Sequence, residues 1–254
     1  MSTQRTFLIT GAAKGIGRAI AEDLATDSAH RLILLDMDLD HLCSWVDSQP
    51  WPAQIEAHAV DISNLESLQS LLHELGQRIS HVDVLVNSAG ICNENEPEDL
   101  INWKRVIDVN LNGTFYVTSL CVPLMADHGR IINIASLLGR AAKVRNSAYC
   151  ASKHGMVGMT KALALDLAPR QITVNAILPA WVDTPMLQQE LAMQAKIAGL
   201  SAEQIQRNAR KKLPLRRFIA SAEVAALVRY LISPEAGALT AQSLLLDGGV
   251  GLGM

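Results

Sequence analysis

The chain has 254 residues, 49% of them apolar and 19% charged, with a net charge of −3 at neutral pH. That length suits one α/β domain with a full core, and the slightly acidic balance excludes a general electrostatic field for nucleic acid. The four cysteines (Cys43, Cys92, Cys121 and Cys150) form no CxxC pair and join no histidine cluster at ligand spacing, which excludes a metal or dithiol motif and points to reduced thiols in a cytoplasmic setting. Met-Ser-Thr-Gln-Arg runs straight into a strand-like segment without an apolar signal region, and no apolar run is long enough to cross a bilayer. A soluble cytoplasmic protein is expected.

Thr6 to Thr10 is a short apolar run that stops at Gly11. Residues 15–27 then carry Ile16, Ala19, Ile20 and Leu24 at helical spacing. Arg31 to Asp36 and Ile55 to Asp61 read as buried strands ending in carboxylates, and Val82 to Asn87 leads into Asn-Ser-Ala-Gly. Arg130 to Ser136, Ile172 to Leu178 and Ser243 to Leu246 complete the strands. Helical patterns fill the gaps around 63–79, 98–127, 149–168, 184–212 and 221–232. Continuous apolar strands separated by helices predict a parallel sheet covered on both faces. The expectation is therefore a single doubly wound Rossmann domain over 1–254, with about seven strands and right-handed crossovers. Ligands of such sheets bind beyond the carboxyl ends of the strands, where Gly11, Asp36, Asp61, Asn87 and Ser136 fall.

Between the first strand and the first helix lies Thr10-Gly11-Ala12-Ala13-Lys14-Gly15-Ile16-Gly17. Glycines here permit a tight turn and close backbone approach to a pyrophosphate, and the helix behind them aims free N–H groups at the anion. Asp36 ends the second strand nineteen residues past Gly17. A carboxylate there can accept both ribose hydroxyls of NAD and repels the 2′-phosphate of NADP. Lys14 would suit that phosphate, but one mobile surface lysine returns less than the like-charge contact costs, and Met37, not arginine, follows Asp36. NAD is the expected cofactor, ahead of NADP.

With these features the chain resembles the short-chain dehydrogenase/reductase family over almost its whole length. The glycine loop is similar to that family's cofactor loop. Asn87-Ser88-Ala89-Gly90 is similar to its Asn-Asn-Ala-Gly, and Tyr149-Cys150-Ala151-Ser152-Lys153 to its YxxxK segment, thirteen residues after Ser136. The resemblance implies a catalytic tetrad of Asn110, Ser136, Tyr149 and Lys153. It implies cofactor contacts from Gly11, Lys14, Gly15, Ile16, Gly17, Asp36, Asp61 and Ile62, from Asn87, Ala89 and Gly90, from Tyr149 and Lys153, and from Pro179, Val182 and Thr184. Pro179-Ala180 stands where the family usually has Pro-Gly. The resemblance also implies homo-oligomers, often tetramers and sometimes dimers, paired through the helices around 98–127 and 149–168.

Tyr149 and Lys153 are four residues apart in a helical segment and so share a face. A free phenol titrates near pH ~10, too high for an efficient base; a neighbouring ammonium, helped by the positive nicotinamide ring, is expected to lower it toward the operating pH. Tyr149 would then exchange a proton with an alcohol or ketone while Ser136 holds the substrate oxygen. In the family, an asparagine such as Asn110 braces a water behind the lysine. Residues 137–148, with Leu138 and Asn146, are expected to line the substrate pocket beside Ser136 and Tyr149. Residues 184–217 are expected to cover it as a flap. The flap's basic end (Arg207, Arg210, Lys211, Lys212, Arg216 and Arg217) reads mainly as a solvated face.

The Trp181-Val182-Asp183-Thr184-Pro185 segment resembles that of hydroxybutyrate dehydrogenases. The polar substrate ligands of those enzymes appear here as Leu138 and Asn146, so their substrate is not carried over. The leading expectation is NAD-linked hydride transfer to or from a secondary alcohol or polyol. An NADH-dependent 3-oxoacyl or keto-acid reductase and a nucleotide-sensing protein without turnover are the alternatives. Apart from its own copies, the partner expected is a small-molecule substrate, with neither nucleic acid nor membrane.

Overall fold

The computed structural model describes residues 4–48 and 50–253; residues 1–3, where the leader-free start was read, lie outside them. In chain order the first half comprises β1 (Arg5–Thr10), α1 (Gly15–Leu24), β2 (His30–Asp36), α2 (Leu39–Val46), β3 (Gln54–Ala59), α3 (Leu65–Arg78), β4 (Val82–Asn87), α4 (Leu100–Ile107), α5 (Thr114–Cys121) and β5 (Met125–Ile134). The second half comprises α6 (Ser147–Leu167), β6 (Thr173–Pro179), β7 (Val182–Asp183), α7 (Pro185–Ala198), α8 (Ala202–Lys212), β8 (Ile219–Ala220), α9 (Ser221–Leu231) and β9 (Ser243–Leu246). Seven strands form one sheet in the order β3-β2-β1-β4-β5-β6-β9, every pair parallel. This is the expected single-domain Rossmann architecture.

Both faces of the sheet are covered because successive strand residues point to opposite sides. In β1, Phe7 and Ile9 join Leu32, Leu34, Val84 and Val86 beneath Ile20, Leu24, Val224 and Val228 of α1 and α9. Leu8, on the other face, joins Ile33, Leu35 and Leu85 against Leu68, Leu72 and Leu75 of α3, Val117 of α5 and Leu167 of α6. No helix among the described residues is long and apolar enough to cross a membrane.

Three helical expectations change in detail. The pattern around 98–127 is broken: α4 passes into a π-helical turn at Asp108–Gly113, α5 follows, and Val122–Leu124 is a 3₁₀ turn before β5 begins at Met125. Pro123 in that turn cannot continue the hydrogen-bond ladder. The pattern around 184–212 is two helices, α7 stopping at left-handed Gly199 and α8 starting under a Ser201–Gln204 capping box. The short helix α2 has no counterpart in the sequence reading; it rests on Leu42 and Trp45, with Asp38 as its cap. The two-residue pair β7–β8, which anchors the flap's ends, is likewise too short to leave a period.

Helix α6 carries Tyr149 and Lys153, and a buried polar ladder fixes it to the sheet. Asn87 Nδ2 donates to Asn133 Oδ1 at 2.8 Å and to Thr118 Oγ1 at 3.0 Å. Asn133 Nδ2 donates onward to Thr160 Oγ1 of α6 at 2.9 Å. Because Asn133 is fully buried, its loss strands partners that water cannot reach. Asn133→Ala should therefore cost about 1–3 kcal/mol, read as a lower denaturant midpoint with an unchanged m-value.

Candidate active site

The sheet order reverses between β1 and β4, and the crevice of a doubly wound sheet opens at that point. Thr10, closing β1, accepts from the backbone N–H groups of both Ser88 and Ala89 at 3.1 Å, tying the two loops together. The glycines there are sterically required. A Cβ on Gly17 would stand 2.2 Å from the Gly11 carbonyl oxygen, and one on Gly11, at φ +68°, would stand 2.7 Å from Ala89 Cα. Helix α1 begins at Gly15 with no side chain accepting from its first N–H groups, so those donors remain for an anion. Ile16 packs onto the first core and holds the loop from below. The cradle fits a dinucleotide pyrophosphate.

At the end of β2, Asp36 accepts from Ala13 N at 2.9 Å with one oxygen and from Asp38 N at 2.9 Å with the other. Lys14 Nζ lies 2.6 Å from Asp38 Oδ2. The loop's one cation is thus already matched to a carboxylate. Beyond β3, a cavity of about 590 Å³ is lined by Met37, Asp61, Ser63, Ile91, Leu100 and Lys104, among others. Asp61 holds Ser63 with one oxygen, accepting from its N–H and hydroxyl at 2.9 and 2.7 Å. The Ile62 side chain turns away into the second core. Pro179 ends β6, Val182 is buried, and Thr184 caps α7 by accepting from Leu187 N at 3.3 Å. A Cβ on Gly15 would touch Thr184 at 3.4 Å, so this segment closes the far side of the glycine loop.

The tetrad positions converge at the carboxyl ends of β4 and β5. Lys153 is buried, donates from Nζ to the Ile134 carbonyl at 2.9 Å, and lies 5.6 Å from the centre of the Tyr149 ring. Asn110, in the π-helical turn, clamps Ile91: its Oδ1 accepts from Ile91 N at 2.8 Å and its Nδ2 donates to Ile91 O at 2.9 Å. That amide also donates to Ser152 Oγ at 3.2 Å. Gly90 passes between the two groups, since a Cβ there would stand 3.2 Å from Asn110 Oδ1 and 3.6 Å from Lys153 Nζ. Ser136 accepts from Leu138 N at 3.1 Å and starts a 3₁₀ turn.

Burial dominates the electrostatics of the Tyr149–Lys153 pair. Burial pushes the Tyr149 phenol above its ordinary value, Cys92 adds to that, the nearby Ser136 hydroxyl pulls it back, and Lys153 is not among the groups that lower it. The reason is visible in Lys153 itself. Burial lowers its amine to about 8, and desolvation of both groups outweighs their mutual attraction.

Of the substrate positions, Leu138 is half-buried beside Ser136. Asn146 is buried; it donates to Val144 O at 2.9 Å and accepts a weak bond from the Cys92 thiol at 3.6 Å. Three further groups surround the phenol. The Cys92 thiol, pushed up to about 11 mainly by burial, feels Glu190, Lys143 and Lys153, and Glu190 also acts on Tyr149. Lys143 and Glu190 form an ion pair at 2.6 Å. They are 47 residues apart, so no local motif could mark them, whereas Cys92 follows the Asn-Ser-Ala-Gly segment by two residues. The basic stretch 207–217 separates from this cluster: Arg207, Arg210, Lys211 and Arg216 line a different cavity of about 410 Å³, and Arg217 pairs with Glu223.

A lysine whose folded value lies near 8, against 10.5 when unfolded, destabilises the protein most below pH 8, where both states are charged. The penalty is relieved as pH rises from about 8 toward 10.5, because the unfolded chain then binds more protons. Lys153→Met should therefore be more stable than the parent chain at pH 7. Thermal unfolding of the two proteins should show that advantage shrinking between pH 8 and 10.

Comparison with known proteins agrees with the geometry. A family model described as enoyl-(acyl carrier protein) reductase matches residues 11–251. The chain is 34% identical over 254 residues to D-beta-hydroxybutyrate dehydrogenase of Cupriavidus necator, covering 98% of each. It superposes with a TM-score of 0.90 on an actinorhodin polyketide ketoreductase solved with NADPH, at 35% identity and 99% coverage of each chain. The aldohexose dehydrogenase of Thermoplasma acidophilum gives 0.85 at 31% identity, covering 98% of this chain and 95% of that one. The names of the three relatives differ in what they act on, and each is a dehydrogenase or a ketoreductase. The chain belongs to the short-chain dehydrogenase/reductase family and is an oxidoreductase acting on CH–OH or carbonyl groups.

Proposed function

We propose that the protein interconverts a secondary alcohol or polyol and its ketone, using NAD in preference to NADP. The observation that carries this reading is the convergence of Tyr149, Lys153 and Ser136 beside a glycine cradle whose ribose end is doubly acidic. Bound NAD⁺ supplies the two-electron acceptor, taking hydride from the carbinol carbon as the C–O bond becomes a carbonyl. The remaining proton leaves the hydroxyl for the Tyr149 oxygen, so alcohol and NAD⁺ give ketone, NADH and one proton. Ser136 donates to the substrate oxygen and steadies its developing charge. Lys153 sits where it can hold the ribose beside the nicotinamide and support the phenol. Asn110 positions Ile91 and Ser152 around it. Pro179, Val182 and Thr184 are the residues that would hold the nicotinamide end, and residues 184–217 would exclude water as a flap.

The cofactor preference follows from charge. A 2′-phosphate at Asp36 would face two carboxylates, Asp36 and Asp38, while Lys14 is held by the second of them. The NADPH-bound ketoreductase favours a second reading, reduction of a 3-oxoacyl or keto-acid substrate; Lys14 is already paired with Asp38, and Arg105, which lines the cavity with Met37 and Asp61, is the cation that reading would use. Homo-oligomers follow from apolar side chains left outside: Leu100 and Ile101 on α4 and Leu165 on α6 are each more than 70% exposed.

The test is a panel of polyols, secondary alcohols and hydroxy acids with each cofactor, followed by nicotinamide absorbance. The expected kcat/KM ratio favours NAD by about tenfold or more, as two part-exposed carboxylates facing a phosphate would give; preference for NADP would overturn the assignment. Since the phenol's value is raised, oxidation should quicken with pH through the alkaline range, whereas ketone reduction, which needs the protonated phenol, should slow.

A further inference from the structure

The segment between Ser136 and Tyr149 is joined to the flap by one ion pair. Lys143 Nζ meets Glu190 Oε1 of α7 at 2.6 Å, and Gln194 Nε2, one helical turn further on, donates to the same oxygen at 3.0 Å. Both charged side chains remain about one-third exposed, at 35% and 29%, so they are open to a molecule arriving at the pocket. Glu190 lies close enough to the Tyr149 phenol and the Cys92 thiol to raise both, and Lys143 close enough to oppose it at Cys92. No motif requires this pair, and nothing in the proton transfer uses it.

We infer that the Lys143–Glu190 pair sets substrate charge, admitting uncharged, hydroxyl-bearing alcohols or ketones and turning away carboxylates. This rests on the function proposed above and narrows its substrate class. The cation is neutralised by its partner at ion-pair distance, so a carboxylate substrate gains no net attraction from Lys143. Because the pair as a whole is neutral, the carboxylate gives up its hydration beside Glu190 with no net countercharge in return, which is a desolvation penalty. An uncharged polyol meets neither obstacle, because its hydroxyls can donate to the Glu190 carboxylate and accept from the Lys143 ammonium without breaking the pair. Specificity of this kind is exerted by a penalty on the wrong substrate as much as by fit.

Two single variants, Glu190→Gln and Lys143→Gln, break the pair equally but leave opposite charges behind. Each is assayed against a matched substrate pair of similar size, an uncharged secondary alcohol or polyol and a hydroxy acid, as the ratio of their kcat/KM values. The parent protein should favour the uncharged substrate. Glu190→Gln leaves Lys143 unopposed and should shift the ratio toward the hydroxy acid by about tenfold, with the gain falling at high salt. Lys143→Gln leaves Glu190 unopposed and should shift it by a similar factor the other way. If the pair were only a strut for the flap, both variants would slow both substrates alike, and an unmoved ratio overturns the inference. Preference of the parent protein for the hydroxy acid overturns it too. Absence of NAD-linked turnover of either substrate by the parent protein, with NADH binding intact, overturns instead the function on which it rests.

Discussion

The site depends on keeping one amine dry. Lys153 is buried at the end of β5, held by the Ile134 carbonyl and flanked by Gly90, Asn110 and the Tyr149 ring. An ammonium in such a place is disfavoured, which is why its value falls to about 8. The surrounding structure is organised to tolerate that cost. The Asn87–Asn133–Thr160 ladder pins α6 to the sheet. The π-helical turn lets Asn110 reach Ile91 and Ser152 together, a use of the extra residue that recurs at functional sites. Without those restraints a lysine of this length would swing to water.

The fold was largely legible in the sequence because a doubly covered parallel sheet leaves a strong signature. Most of the strands are apolar runs, and β1, β2 and β4 end in or beside Gly11, Asp36 and Asn87, so those positions could be placed before any coordinate. Elements without a period were not legible. Helix α2 is only eight residues long, and the pattern around 98–127 is continuous in polarity although its backbone changes winding three times. Boundaries set by a local choice, such as the stop at Gly199, are decided by one residue's conformation.

At the site, motif spacing and the family resemblance picked out Tyr149, Lys153, Ser136 and Asn110, which the fold brings together, but carried no account of how deeply they are buried. Sequence proximity shows that an ammonium can approach a phenol; it does not show how much water both have lost. Here burial acts on both groups, raising the phenol and lowering the amine. Groups that meet only through tertiary structure were invisible for the same reason. Lys143 and Glu190 come from two elements 47 residues apart, and Asp38 reads as an ordinary helix cap until Lys14 is seen beside it. Charge compensation recurs at both ends of the cleft: Asp38 occupies the cation of the glycine loop, and Glu190 occupies that of the substrate opening.

The central claim is that the Tyr149 oxygen carries the proton at a reaction centre beside the dinucleotide cradle. The most direct measurement pairs turnover with NADH affinity in Tyr149→Phe, which removes only that oxygen. The account predicts a fall in kcat of about three orders of magnitude or more, at the upper range of a lost acid–base group, with NADH binding by fluorescence titration within about twofold of the parent protein. Turnover within about tenfold of the parent would contradict it.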